Sequence, residues 1–180
     1  MTKRRDILRK VLVICLLALP AVTMIAQDFY DEFRAKSIDV EGVKTGQKMT
    51  YDQFVTKFGK PTEYIQSDSD SGEEGTPTTD EYYRVGKDVF YFRNNGSFCG
   101  FSINENNFSV LTLWVSGGIR VGDKLSKLDN FKYGKPKEAS WLKPENGFVE
   151  YVLFYNFLDA FVYLSVKDGV IHNIRYSDPI

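Results

Sequence analysis

The chain has 180 residues, 26% of them charged and 15% aromatic, with a formal net charge of −1. The aromatic load excludes a disordered chain, and the charge balance lacks the surplus of Lys and Arg with which proteins displace counterions from nucleic acid. The one histidine and two cysteines stand far apart in the sequence and form no His/Cys cluster, so no zinc site is expected.

The N-terminus reads as an export leader. Lys3, Arg4, Arg5, Arg9 and Lys10 precede an unbroken apolar run from Val11 to Leu19, Pro20 breaks it, and Ala26 offers a small residue before Gln27. This is the order of a signal peptide, cleaved after about residue 26. Val11 to Ala26 is shorter than the roughly 20 apolar residues of a bilayer span, so membrane attachment is expected only if the leader stays uncut. Arg4-Arg5 is read as part of the basic region rather than as a twin-arginine signal. The leader takes five of the 23 Lys+Arg and one of the 24 Asp+Glu, leaving 18 against 23 and a net charge of −5. It also takes Cys15, so Cys99 has no intramolecular disulfide partner and reads as a small buried hydrophobe. Residues 27–37 form an N-terminal arm with Phe29 and Phe33 one turn apart.

Two later segments resemble each other. Gly42-Val43-Lys44-Thr45-Gly46 matches Gly118-Ile119-Arg120-Val121-Gly122, and Lys48-Met49-Thr50 matches Lys124-Leu125-Ser126. Lys57-Phe58-Gly59-Lys60-Pro61 matches Lys132-Tyr133-Gly134-Lys135-Pro136 after a one-residue deletion. The pattern predicts an internal duplication, with repeat 1 over 38–115 and repeat 2 over 116–180. In the first copy Thr50 and Gln53 are placed for a capping box, Gly59 for a C-cap and Pro61 for a stop, which predicts a helix over 51–58. In the second copy Ser126 is the expected N-cap and Gly134 the C-cap. Met49 and Phe54 of the first copy are placed for a hydrophobic staple, and Asn130 replaces its second apolar residue, so an irregular or partly 3₁₀ helix is expected in the second.

Strands are predicted over 88–93, 98–104 and 108–115 in the first copy, and over 149–155, 161–166 and 170–176 in the second, with a further one around Ile38 to Val40. Residues 67–81 hold six acidic side chains and no basic one, and read as a solvated loop. The fold class expected is α+β. Two tandem repeats, each a short helix followed by a three- to four-strand antiparallel meander, would form one curved sheet with helices on one face.

No catalytic set emerges. His172 lies in the last predicted strand and reads as a structural residue, no Gly-x-Ser-x-Gly elbow is present, and neither glycine pair continues into a phosphate-binding Lys-Ser/Thr. Asp68-Ser69-Asp70-Ser71-Gly72 begins like an EF-hand loop, but its glycine comes one position early and Thr79 stands where a bidentate glutamate belongs. The expected protein is not an enzyme and needs no cofactor or metal.

On the glycine, short-helix and Gly-Lys-Pro elements, over roughly residues 38–178, the chain resembles the tandem-repeat beta-lactamase inhibitory protein family. It is also similar to the small lipoprotein of the outer-membrane assembly machinery. The resemblance implies a curved sheet whose concave side carries aromatics and holds a protein. The candidate partner-binding residues are Tyr91, Arg93, Tyr151, Tyr155, Phe161 and Tyr163, because Tyr and Arg are enriched where binding energy concentrates. The expected function is that of a periplasmic or secreted protein-binding module of the bacterial envelope, its partner another envelope or extracellular protein. The alternative is a ligand- or calcium-binding envelope protein that uses the acidic loop 67–81.

Overall fold

The computed structural model describes residues 38–69, 78–132, 134–143, 145–153 and 162–177, without the side chains of 67–69, 78–80 and 177. The leader 1–26, the arm 27–37, Tyr155 and Phe161 lie outside the described residues.

The fold opens with a hairpin of β1 (Asp39–Val40) and β2 (Val43–Lys44). Its two turn residues, Glu41 and Gly42, have φ of 52° and 81°, the doubly positive turn that matches strand twist in the shortest hairpins. Helix α1 (Tyr51–Phe58) follows, over the range its caps specify. Thr50 Oγ1 accepts the Gln53 N–H at 3.3 Å and Gln53 Oε1 accepts the Thr50 N–H at 2.9 Å, which closes the capping box. Gly59 ends the helix at φ 94°, its N–H bonded to the Val55 carbonyl.

Eight further strands make one antiparallel sheet: β3 (Glu63–Ser69), β4 (Thr78–Val85), β5 (Asp88–Arg93), β6 (Phe98–Ile103), β7 (Lys137–Glu138), β8 (Val149–Leu153), β9 (Val162–Lys167) and β10 (Val170–Ser177). Their spatial order is β3-β4-β5-β6-β10-β9-β8-β7, so two hairpin-connected runs meet along β6 and β10.

The described chain is therefore mostly β, with one α-helix, and this corrects the expected fold class of two helix-plus-meander repeats with helices on one face. The second element is a 3₁₀ turn over Leu125–Leu128. Ser126 lies inside that turn and gives it no side-chain cap. Asp123 organises the approach instead, accepting the Arg120 N–H at 2.9 Å and Lys127 Nζ at 2.8 Å. Burial works against the charge, yet the Lys127 and Arg120 contacts outweigh it and hold the Asp123 carboxyl below its ordinary range. The likeness between the glycine segments extends to their backbone partners, each segment bonding the hairpin that follows it about fifty residues on. Gly46 N–H bonds the Phe98 carbonyl and Met49 N–H that of Gly96, while Gly122 N–H bonds the Ile171 carbonyl and Leu125 N–H that of Gly169.

Two strand assignments also change. Residues 63–69 and 78–85 pair as β3 and β4, so much of the predicted acidic loop belongs to a hairpin. Residues 108–115 form a loop instead of a strand. Leu111 sits at φ 59°, Val110 makes isolated bridges to Val40 and Ile119, and the chain turns back toward Gly118. The cause is Asp39, fully buried, whose carboxylate accepts the N–H groups of Gly42 (3.0 Å), Thr112 (3.2 Å) and Leu113 (3.0 Å) and the Thr112 hydroxyl. A buried carboxylate that must satisfy this many donors holds the 111–113 backbone curled around itself.

The core on the α1 side is aromatic. Phe54 and Phe58 of α1 pack on Phe90, with ring centroids at 5.4 and 4.5 Å, and Phe54 reaches Phe92 while Phe58 reaches Phe108. Around β9 and β10 the core becomes aliphatic, with Leu128, Leu153, Leu164, Ile171 and Ile174 buried.

Candidate functional site

Facing residues in an antiparallel pair point to the same side of the sheet, so the pairing register sorts each strand into two faces. Phe90 pairs with Phe101, Phe101 with Tyr176, and Tyr176 with Val162; these four buried residues define the core face. Their alternates lie on the opposite, outer face. Tyr91 and Arg93 of β5, Tyr82 and Arg84 of β4, Tyr163 of β9 and Arg175 of β10 all fall there. Tyr82 and Tyr91 stand opposite each other with ring centroids 6.1 Å apart, and the Arg175 guanidinium lies 5.3 Å from the centre of the Tyr163 ring. Burial, then the neighbouring Tyr82, pushes the Tyr91 hydroxyl above its ordinary range.

Of the candidate residues, Tyr91, Arg93 and Tyr163 thus share the outer face. Tyr151 does not: it pairs with Leu164 and points to the core side with Leu153. The reason is β8's register, since a shift of one position exchanges the faces. Tyr82, Arg84 and Arg175 were missed. Tyr82 and Arg84 sit in a strand whose acidic neighbours imitate a loop, whereas the alternation of Arg175 with Ile174 and Tyr176 is a signal already present in the sequence.

At the β8–β10 end the outer face deepens into a groove of about 650 Å³. Its floor is polar. Glu150 accepts Arg175 Nη2 at 2.9 Å and the Ser165 hydroxyl, and Asn173 Nδ2 donates to Ser102 Oγ (3.0 Å), the Ile103 carbonyl (3.1 Å) and Asn104 Oδ1 (2.9 Å). Leu142, Lys143, Glu145 and Asn146 form one wall, with Phe148 and His172 beside them. A bulge between Ile171 and Asn173 turns His172 out of the alternation, which corrects its reading as an ordinary strand residue: it is exposed, edge-on to Phe148 at 5.2 Å. A second bulge does the same for Cys99, which is half-buried where Tyr91 pairs with Gly100 and Phe92 with Phe98.

Behind the groove Asp88 is fully buried. Its Oδ1 accepts the N–H groups of Asn104 (2.6 Å) and Glu105 (3.0 Å), and its Oδ2 has no partner. Burial raises its pKa, the two backbone N–H groups oppose the rise, and Glu105 adds to it. A folded pKa above the unfolded one gives a contribution that is full below the unfolded value and is lost as pH rises through the folded value. Relative to Asp88→Asn, which keeps the Oδ1 acceptor, the parent chain is expected to gain melting temperature as pH falls from 7 to 4. A constant difference across that range would contradict this assignment.

Among the described residues no group of three His, Cys, Asp or Glu is placed to hold a metal ion. β3 runs extended through Asp68 and Ser69, not curled as the start of an EF-hand loop is, and residues 70–77 lie outside the described residues. Comparison with family models, with curated proteins and with solved structures finds no match for this chain.

Proposed function

We propose that the chain is an exported, non-catalytic protein-binding module of the bacterial envelope, with its partner on the outer face of the main sheet. The observation that carries this reading is the register, which collects Tyr82, Tyr91, Arg84, Arg93, Tyr163 and Arg175 on the face opposite α1, with Arg175 also lining the groove. Tyrosine and arginine offer large contact area with a polar end, and rings already set against neighbours lose little freedom on binding. The groove mixes Lys143 and Arg175 with Glu145 and Glu150, so it suits a polypeptide surface of mixed charge better than a polyanion. The leader pattern supports export. The single histidine and the lack of a nucleophile motif in the sequence support binding over catalysis. The likeness of the glycine and Gly-Lys-Pro elements to the inhibitory protein family is a further support for a protein partner.

The test is capture from envelope extract by immobilised chain. A specific partner is expected, its recovery reduced at least tenfold by Tyr91→Ala or Arg175→Ala and unchanged by Lys60→Ala beyond α1. Recovery of no partner, or of one indifferent to both outer-face changes, would count against the reading.

A further inference from the structure

A different part of the molecule presents a second surface. β3 is the outermost strand of the sheet: among the described residues it has β4 on one side and no strand on the other. Its seven residues therefore turn alternate backbone N–H and C=O groups outward. Natural edge strands are commonly blunted by proline, lysine or a bulge, and Glu63–Ser69 contains no proline or lysine and pairs with β4 without a register break.

Beside this edge, on the α1 side, lies a ledge of tyrosines. Tyr64 of β3 is 50% exposed and stacks on Tyr83 of β4 at 5.2 Å and 27°. Tyr51, the first residue of α1, is also 50% exposed and stands 5.9 Å from Tyr83. Tyr83 is locked from below by Phe54 at 4.7 Å and Phe92 at 5.4 Å, so the ledge rests on the aromatic core. The field there is negative. Burial first, then the Glu81 carboxylate, pushes both the Tyr64 and Tyr83 hydroxyls above their ordinary range. β3 and β4 themselves carry Glu63, Asp68, Asp80 and Glu81 against Arg84 alone.

We propose that this edge is a docking site for an extended, Lys- or Arg-bearing segment of another protein, which adds beside β3 as a further strand and lays a cationic side chain on the Tyr51–Tyr64–Tyr83 ledge. Main-chain pairing supplies the attachment, and the ring faces with the Glu81 carboxylate select the sign of the charge. Charge also decides against a second copy of this chain. Pairing two β3 edges would bring two such acidic segments together, and opposed like charges destabilise a sheet. The acidity thus discourages self-association through the edge while leaving it open to a basic strand.

The test uses the full chain and a fluorescent octapeptide of alternating lysine and valine, followed by anisotropy. Saturable binding is expected, at least tenfold weaker for Tyr64→Ala, at least tenfold weaker for the fully N-methylated peptide, and absent for the glutamate–valine counterpart. Tyr64 is exposed, so its replacement leaves the fold intact, and an unchanged melting temperature checks this. No binding overturns the proposal. So does equal binding of the N-methylated peptide, which would mean attraction without strand pairing. Loss of binding in Arg175→Ala but not in Tyr64→Ala would move the peptide to the groove and also overturn it, as would a dimer of the chain alone that Tyr64→Ala dissolves.

Discussion

Asp39→Ala is expected to cost about 3 kcal/mol or more, because it leaves several buried donors without their acceptor at once and each such loss costs about 1–3 kcal/mol. The N–H groups of Gly42, Thr112 and Leu113 and the Thr112 hydroxyl all converge on that carboxylate, which is itself 0% exposed. Donors left unpaired in the native state regain partners on unfolding, which favours the unfolded chain. Asp39→Asn separates acceptor capacity from mere volume. It keeps Oδ1 for Gly42 and Thr112 but turns an NH₂ group toward the Leu113 N–H, so an intermediate loss is expected. Urea unfolding with an unchanged slope is the measurement. A loss under about 1 kcal/mol for the alanine variant would mean that the 111–118 loop is held by its apolar contacts and not by Asp39.

Phe54→Ala is expected to cost about 3–5 kcal/mol, the usual range for emptying a buried phenylalanine site. Its ring touches those of Phe58, Tyr83, Phe90 and Phe92, and no small side-chain shift closes a hole with that many walls. Against a typical total of about 5–15 kcal/mol, either variant removes a large share of the stability. Phe54→Leu should recover most of the loss, since it restores volume without the ring. A second readout follows from geometry. Phe54 is the support under Tyr83, so the alanine variant, where still folded, should also lose near-ultraviolet dichroism from the Tyr51–Tyr64–Tyr83 group. Stability lost with that signal intact would show that the ledge does not depend on its base.

What could be read from the sequence was what short-range chemistry specifies. Thr50, Gln53, Gly59 and Pro61 fix α1 through bonds between residues three or four apart, and the alternation in 88–93, 98–104 and 170–176 marks strands whose core side is strongly apolar. Where the deciding partner is remote, the reading fails. Phe108, Val110 and Leu111 look like a strand because they are apolar, yet they are buried by a loop that Asp39 gathers from seventy residues away. β3 and β4 escape notice because an edge hairpin has little apolar surface to bury, and their carboxylates imitate a solvated loop. The second element is 3₁₀, as the loss of its staple residue predicts, but it is a single turn and Ser126 does not cap it. For the candidate site the limit was register: Tyr91 and Tyr163 share a face, Tyr151 takes the other, and bulges at Cys99 and His172 alter the alternation on which such sorting rests.

The seam between β6 and β10 has a consequence for the order in which the molecule can assemble. β10 is the last described strand along the chain, yet it lies in the middle of the sheet, with β6 on one flank and β9 on the other. A polypeptide that emerges from its N-terminal end can close the β3–β6 meander early. It cannot join that meander to the rest until Ile174, Tyr176 and their neighbours have appeared, about seventy residues after Ile103. Until then β6 is a second open edge, its own Phe101 and Ile103 still lacking their partners in β10. Completion of the core is thus tied to the arrival of β10, a long-range closure of the kind that slows folding.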